Sequence, residues 1–110
     1  MTRTVDLVIS GDGRAARAAA VDALRCGGRV LMVLPSGDAR QAQRLLRCLR
    51  KTAGAGSGRL WVMASAEIVC VDGVEAVEAV VVRHAPTGRV SAVNASAFVS
   101  FDASCFVPPA

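Results

Sequence analysis

The stretch VDLVISGDGRAARAAAVDALRCGGRVLMVL, residues 5–34, limits the possible folds more than any other part of the chain. Its first run, Val5 to Ile9, is compact, β-branched at both ends, and stops at Ser10-Gly11. That pattern predicts a buried strand. Good helix formers follow from Arg14 to Arg25, with no proline or interior glycine, and Cys26-Gly27-Gly28 ends them. Glycine suits a helix C-terminus because it adopts left-handed backbone angles without strain. A second apolar run, Arg29 to Leu34 (RVLMVL), is broken by Pro35-Ser36-Gly37. Strand, helix and strand in this span make a β-α-β unit, whose strands lie parallel because the helix carries the chain back.

Asp38 is placed to cap a second helix running to about Lys51, with Ala42, Leu45, Leu46 and Leu49 on one face. AGAGSG, residues 53–58, is a flexible turn. The rhythm then shortens. Strands are predicted at Leu60 to Met63, Glu67 to Asp72, Val77 to His84, Arg89 to Val93 after the turn Pro86-Thr87-Gly88, and Ala97 to Phe101. Strands separated by so few residues pair antiparallel, as a meander, and the closing AFVSF rejoins the parallel sheet. The fold class is therefore α/β: a Rossmann-like three-layer domain, a parallel sheet with an added antiparallel β-meander. No repeat or boundary divides residues 1–110, which form one domain.

Composition narrows the functional classes. The hydrophobic share of 53% comes largely from Ala and Val, which fits a globular chain and not a disordered one. Arg40, Arg44, Arg47, Arg50 and Lys51 recur at helical spacing and read as a solvated helix face. With three Phe, one Trp and a net charge of +4, no stacking surface for nucleic acid is expected. No apolar run approaches the ~20 residues of a membrane span, and MTRTVDLVIS lacks the apolar centre of a secretory leader. A cytoplasmic location with reduced thiols is expected, and the Arg- and Ala-rich usage points to a GC-rich bacterial genome. Cys26, Cys48, Cys70 and Cys105 have neither redox-pair nor zinc-ligand spacing, so structural thiols and no metal site are expected. His84, the one histidine, reads as a surface residue before a turn, and no catalytic residue is assigned.

The loop carries the chemistry. In Gly-x-Gly-x-x-Ala between strand and helix, the first glycine makes the turn. The second lets a pyrophosphate approach the backbone, and the third small residue lets helix and strand pack closely. Here those places are Gly11, Gly13 and Ala16. Amides at the helix start would face phosphates, with Arg14 adding charge. Asp12 repels a phosphate if it points inward. The end of the second strand is the second test, because an acid there holds a ribose and arginines there hold a 2′-phosphate. This chain has Leu34-Pro35-Ser36, then Asp38 and Arg40.

GDGRAARAAA, WVMASAEIVCVDG, VEAVVVRHAPTGRV and NASAFVSF together resemble the NAD(P)H-binding domain of the thioredoxin reductase class of pyridine-nucleotide flavoproteins. They match its glycine loop and first helix, its third strand, its hairpin and its closing strand. In that class a His-Arg-Arg segment and a further Arg grip the 2′-phosphate. Only Arg40 falls on a matching position, and FVSFDAS lacks the family's glycine before the nicotinamide. The resemblance implies a stand-alone dinucleotide-binding domain taking NAD(P)H, with FAD less favoured because Leu34 stands where a ribose-binding acid belongs. It would act with a flavin-bearing partner chain, and oligomers are compatible with it. The candidate cofactor-binding residues are Gly11, Asp12, Gly13, Arg14, Ala15, Ser36 and Arg40. The competing expectation is a structural or interaction subunit that keeps the fold without the cofactor.

Overall fold

The computed structural model describes residues 3–54, 59–74 and 76–101. Residues 55–58 of the expected turn, Cys105 and the Pro-Pro tail lie outside them. In chain order the elements are β1 (Arg3–Ser10), α1 (Arg14–Arg25), β2 (Val30–Leu34), α2 (Ala39–Ala53), β3 (Leu60–Ala64), β4 (Ala66–Asp72), β5 (Ala79–His84) and β6 (Arg89–Ser100). They join one mixed sheet in the order β3-β2-β1-β6-β5-β4. β3, β2, β1 and the second half of β6 are parallel neighbours, whereas β4, β5 and the first half of β6 are antiparallel.

That order requires the sheet to fold over itself. β3 and β4 are separated by Ser65 alone, yet they stand at opposite ends of the hydrogen-bonded order. Ser65 makes the corner with φ 52°, the one non-glycine in the left-handed region among the described residues. The meander β4-β5-β6 consequently lies across one face of the parallel strands, and both helices lie on the other. Two apolar clusters follow. Ile9, Val30, Met32 and Leu34 pack under Ala16, Ala20, Leu24, Leu45 and Leu49 of the helices. Val8, Leu31 and Val33 pack against Ile68, Val80, Val82, Val93 and Ala95 of the meander.

Since β2 is covered on both faces, all five residues of VLMVL are buried and the run shows no alternation. Each such side chain contributes about 1.5–3 kcal/mol by leaving water, which makes β2 the central anchor. Ala16 and Ala20 are also fully buried, and their small size lets α1 lie close on the strands.

One expected feature is corrected. Arg89–Val93 and Ala97–Phe101 are not two strands but the single twelve-residue β6, which ends at Ser100. Val93 and Asn94 are the shared hinge: Val93 pairs with Val80 and with Arg3, and Asn94 with Ala79 and with Thr4. The strand continues through Asn94-Ala95-Ser96, where two polar residues flank one buried alanine, because its ladders lie on two different neighbours. Free thiols are found at Cys26, Cys48 and Cys70, and the first two are exposed rather than packed in the core. Among the described residues, no helix is long and apolar enough to cross a membrane.

Candidate functional site

β2 and β3 lie on one side of β1 and β6 on the other, so the strand order switches direction at β1. Such a switch point leaves a crevice, the usual ligand position in open α/β sheets. The first loop enters it directly. Gly11 N–H donates to Val33 O at 3.0 Å, and Phe101 N–H donates to Ser10 O at 2.9 Å, so the ladders continue to its mouth. A cleft of about 410 Å³ opens there, lined by Gly11-Asp12-Gly13, Leu34 to Gly37, Gln41 and Phe101.

The two loop glycines differ in physical cause. Gly11 has φ 114°, a conformation that a Cβ would strain. Gly13 has φ −67° and ψ −179°, extended backbone open to any residue, and a Cβ built on it meets nothing within 4 Å. The turn explains Gly11; at Gly13 the N-cap position tolerates glycine, but among the described residues neither backbone angle nor space requires it.

The helix ends differ as well. α2 is closed by a capping box: Asp38 Oδ1 accepts from Gln41 N–H at 2.8 Å, and Gln41 Oε1 accepts from Asp38 N–H at 2.9 Å. The box commits Asp38 to the helix and leaves the Gln41 NH₂ as the donor this residue can offer the cleft. α1 starts from Gly13 with no side-chain cap and no acidic residue in its first turn. Its positive end therefore opens on the crevice with no side chain of its own to neutralise it.

Two contacts hold the walls. Arg17 Nε donates to Asp12 O at 2.9 Å, tying the loop to the second turn of α1. Ser65 Oγ donates to Gly37 O at 2.6 Å, fastening the β2-α2 loop to the corner between β3 and β4.

Of the sequence-predicted residues, Gly11, Asp12, Gly13 and Ser36 come together around the cleft. Arg14, Ala15 and Arg40 are exposed and do not line it. The α2 phase set by the capping box turns Gln41 to the cleft in place of Arg40. Leu34, Pro35, Gly37, Gln41 and Phe101 line it without having been singled out. An Asp-x-x-Gln spacing after a strand-ending loop was a usable signal for Gln41. Phe101 carried none, because its position depends on where β6 ends.

No family model and no curated relative matches this chain. Solved structures do. A thioredoxin reductase from Streptococcus pyogenes superposes with a TM-score of 0.66 at 19% identity, over 92% of this chain and 32% of its own. A thioredoxin reductase from Gloeobacter violaceus gives 0.62 at 22% identity, over 91% and 29%. A flavin-dependent monooxygenase solved with FAD gives 0.66 at 15% identity, over 90% and 30%. The chain thus spans about a third of the length of these structures. At such identities the likeness establishes the fold, a Rossmann-like one of the kind found in FAD/NAD(P)-binding oxidoreductases.

Proposed function

We propose that this chain is a dinucleotide-binding domain of the NAD(P)H type that works with a flavin-bearing partner. The observation that carries the reading is Gly13. It sits at the uncapped start of α1, in a crevice, where the fold leaves room for a Cβ and needs no positive φ. A phosphate group approaching the backbone is a physical reason to keep that space clear. Gly11, Asp12, Gly13 and Ser36 would hold the pyrophosphate side, with Arg14 and the Ala15 amide at the helix start and Arg40 at the rim. A bound nicotinamide would supply a hydride, and the partner's flavin would accept it. This chain's own residues supply position, not acid or base groups. The exposed free thiols Cys26 and Cys48 suit a reducing cytoplasm.

NADPH is favoured over FAD because buried Leu34 ends β2 where an acid would hold the adenosine ribose. A scaffold without cofactor has one observation in its favour: Asp12 lines the cleft, and a carboxylate turned into it would repel phosphate. Thermal shift with NADPH, NADH, FAD and ADP-ribose decides between these readings. Stabilisation by NADPH and ADP-ribose is expected. No shift with any of the four at millimolar concentration overturns the binding reading and leaves the scaffold.

A further inference from the structure

A second cavity, of about 470 Å³, lies on the meander side of the sheet, between the tip of the β5-β6 hairpin and β3. Its lining divides into two kinds. Met63 and buried Val82 are apolar, whereas His84, Thr87, Arg89 and Ser91 are polar. The hairpin register explains why these side chains meet. Val82 pairs with Ser91 and His84 with Arg89, so two cross-strand pairs, two residues apart, project from one face.

The polar groups are linked through Thr87. Thr87 Oγ1 accepts the Arg89 backbone N–H at 3.2 Å and lies 3.0 Å from His84 Nδ1. With an N–H already pointed at it, the hydroxyl has its own proton to give, and Nδ1 is within reach. With Nδ1 held against Thr87, Nε2 is the ring nitrogen left for whatever enters. The Arg89 guanidinium and the Ser91 hydroxyl add further donors, and none of the lining residues is acidic. Arg89 has no ion-pair partner among the described residues.

We infer that this cavity is a binding site for a small organic monocarboxylate with a short apolar chain. The carboxylate would be met by Arg89, with His84 and Ser91 beside it, and the chain would rest on Met63 and Val82. Both halves of the lining are needed: bare phosphate would leave the apolar floor uncovered, and an alkylammonium would face Arg89 with like charge. The cavity is half open to solvent, and volumes of this order are ordinary for small-ligand sites. The site is independent of the nucleotide cleft and requires nothing to be bound there.

His84 gives a clean probe, because the chain contains one histidine. The full-length protein is titrated with hexanoate, hexylammonium and inorganic phosphate while the His84 ring signals are followed by NMR. Hexanoate should produce a saturable shift, with phosphate and hexylammonium at least tenfold weaker. Arg89→Gln should weaken hexanoate at least tenfold with the amide spectrum otherwise unchanged. Exposed Arg89 is a mild site for this change, and Ser91→Ala is the second variant if Arg89→Gln does not fold. The proposal is overturned by no saturable shift with hexanoate, by equal response to hexylammonium, or by full affinity in a folded variant. Phosphate as strong as hexanoate would reduce the site to a simple anion contact and also overturn it.

Discussion

Replacing Gly13 by alanine separates what the fold needs from what a ligand needs. On the folding side, φ −67° and ψ −179° are open to alanine, and its Cβ would touch nothing within 4 Å. Two small effects then oppose each other. Alanine at a helix N-cap is worse than glycine by about 0.5–1 kcal/mol. Exchanging glycine for alanine at a compatible site also restricts the unfolded chain, which returns about 0.4–1 kcal/mol. The sum is near zero, so Tm without ligand should move by less than about 3 °C in a domain of this size.

On the binding side, the methyl enters the space a phosphate would use. At a ligand concentration of a hundred times Kd, linkage stabilises the wild type by about 2.7 kcal/mol, roughly 10 °C here. A tenfold loss of affinity removes about 1.4 kcal/mol, so Gly13→Ala should show about half the ligand-induced shift. Gly13→Val should show less still. Differential scanning calorimetry with and without NADPH reads both quantities. The reasoning is refuted if the unliganded variant melts far below the wild type, which would make Gly13 a folding requirement. An undiminished ligand shift in a normally folded variant refutes it too, because the phosphate would then lie elsewhere.

Arg40→Ala should weaken NADPH more than NADH by calorimetric titration; equal loss removes Arg40 from any 2′-phosphate role. Phe101 is 43% exposed at the cleft, and aromatic stacking on a base contributes about 1–3 kcal/mol. Phe101→Ala should therefore cost at least fivefold in dinucleotide affinity with Tm nearly unchanged, and unaltered affinity excludes stacking there. The fully buried Ser10 hydroxyl has no hydrogen-bond partner among the described residues, a condition that costs about 1–3 kcal/mol. Ser10→Ala should accordingly raise stability by about 1 kcal/mol in urea unfolding, and a loss of stability contradicts this. Asp6 has its pKa lowered from 3.8, first by the Arg29 backbone N–H donating to Oδ2 at 2.7 Å, partly opposed by desolvation, then by the Arg29 side chain. A carboxylate depressed in the folded state stabilises fully above its unfolded pKa, and that stabilisation fades as pH falls through the lower folded value. Asp6→Asn should flatten the acid limb of a stability–pH curve below about pH 4 and leave its shape at neutral pH unchanged.

The residues read well where the physics was local. The strand-helix alternation of residues 5–51 is visible because each element carries its own periodicity and its own stop, and the observed bounds differ by one or two residues. β6 was less legible. Its middle, Asn94 to Ser96, has only Ala95 as an apolar residue, because it crosses from the meander to β1 and its pairing is wholly non-local. The glycines look equal as letters and differ only in dihedral angle and free space. His84 shows no partner along the sequence until the Pro86-Thr87-Gly88 turn brings the Thr87 hydroxyl back to its ring. Which side chains line the crevice depends on helix phase: Gln41 lines it, whereas Arg14 and Arg40 are exposed beside it.

A loop retained only for folding would keep glycine where φ is positive and would cap the helix it leads into. Gly11 meets the first condition. Gly13 departs from the second, since serine, threonine, asparagine or aspartate there would fit the angles and the open space while capping α1. The same chain builds a full capping box at Asp38, the parallel position on α2. Local rules are broken most often where function takes precedence, and here an uncapped helix start and a glycine that neither angle nor space requires coincide in one crevice. Asp12 does not cancel this. Its carbonyl accepts from Arg17 Nε, and α1 still starts with no side-chain cap, whether or not the neighbouring carboxylate weakens what binds there. The charge of Asp12 bears on how tightly an anion is held, and the bare Gly13 bears on whether there is one.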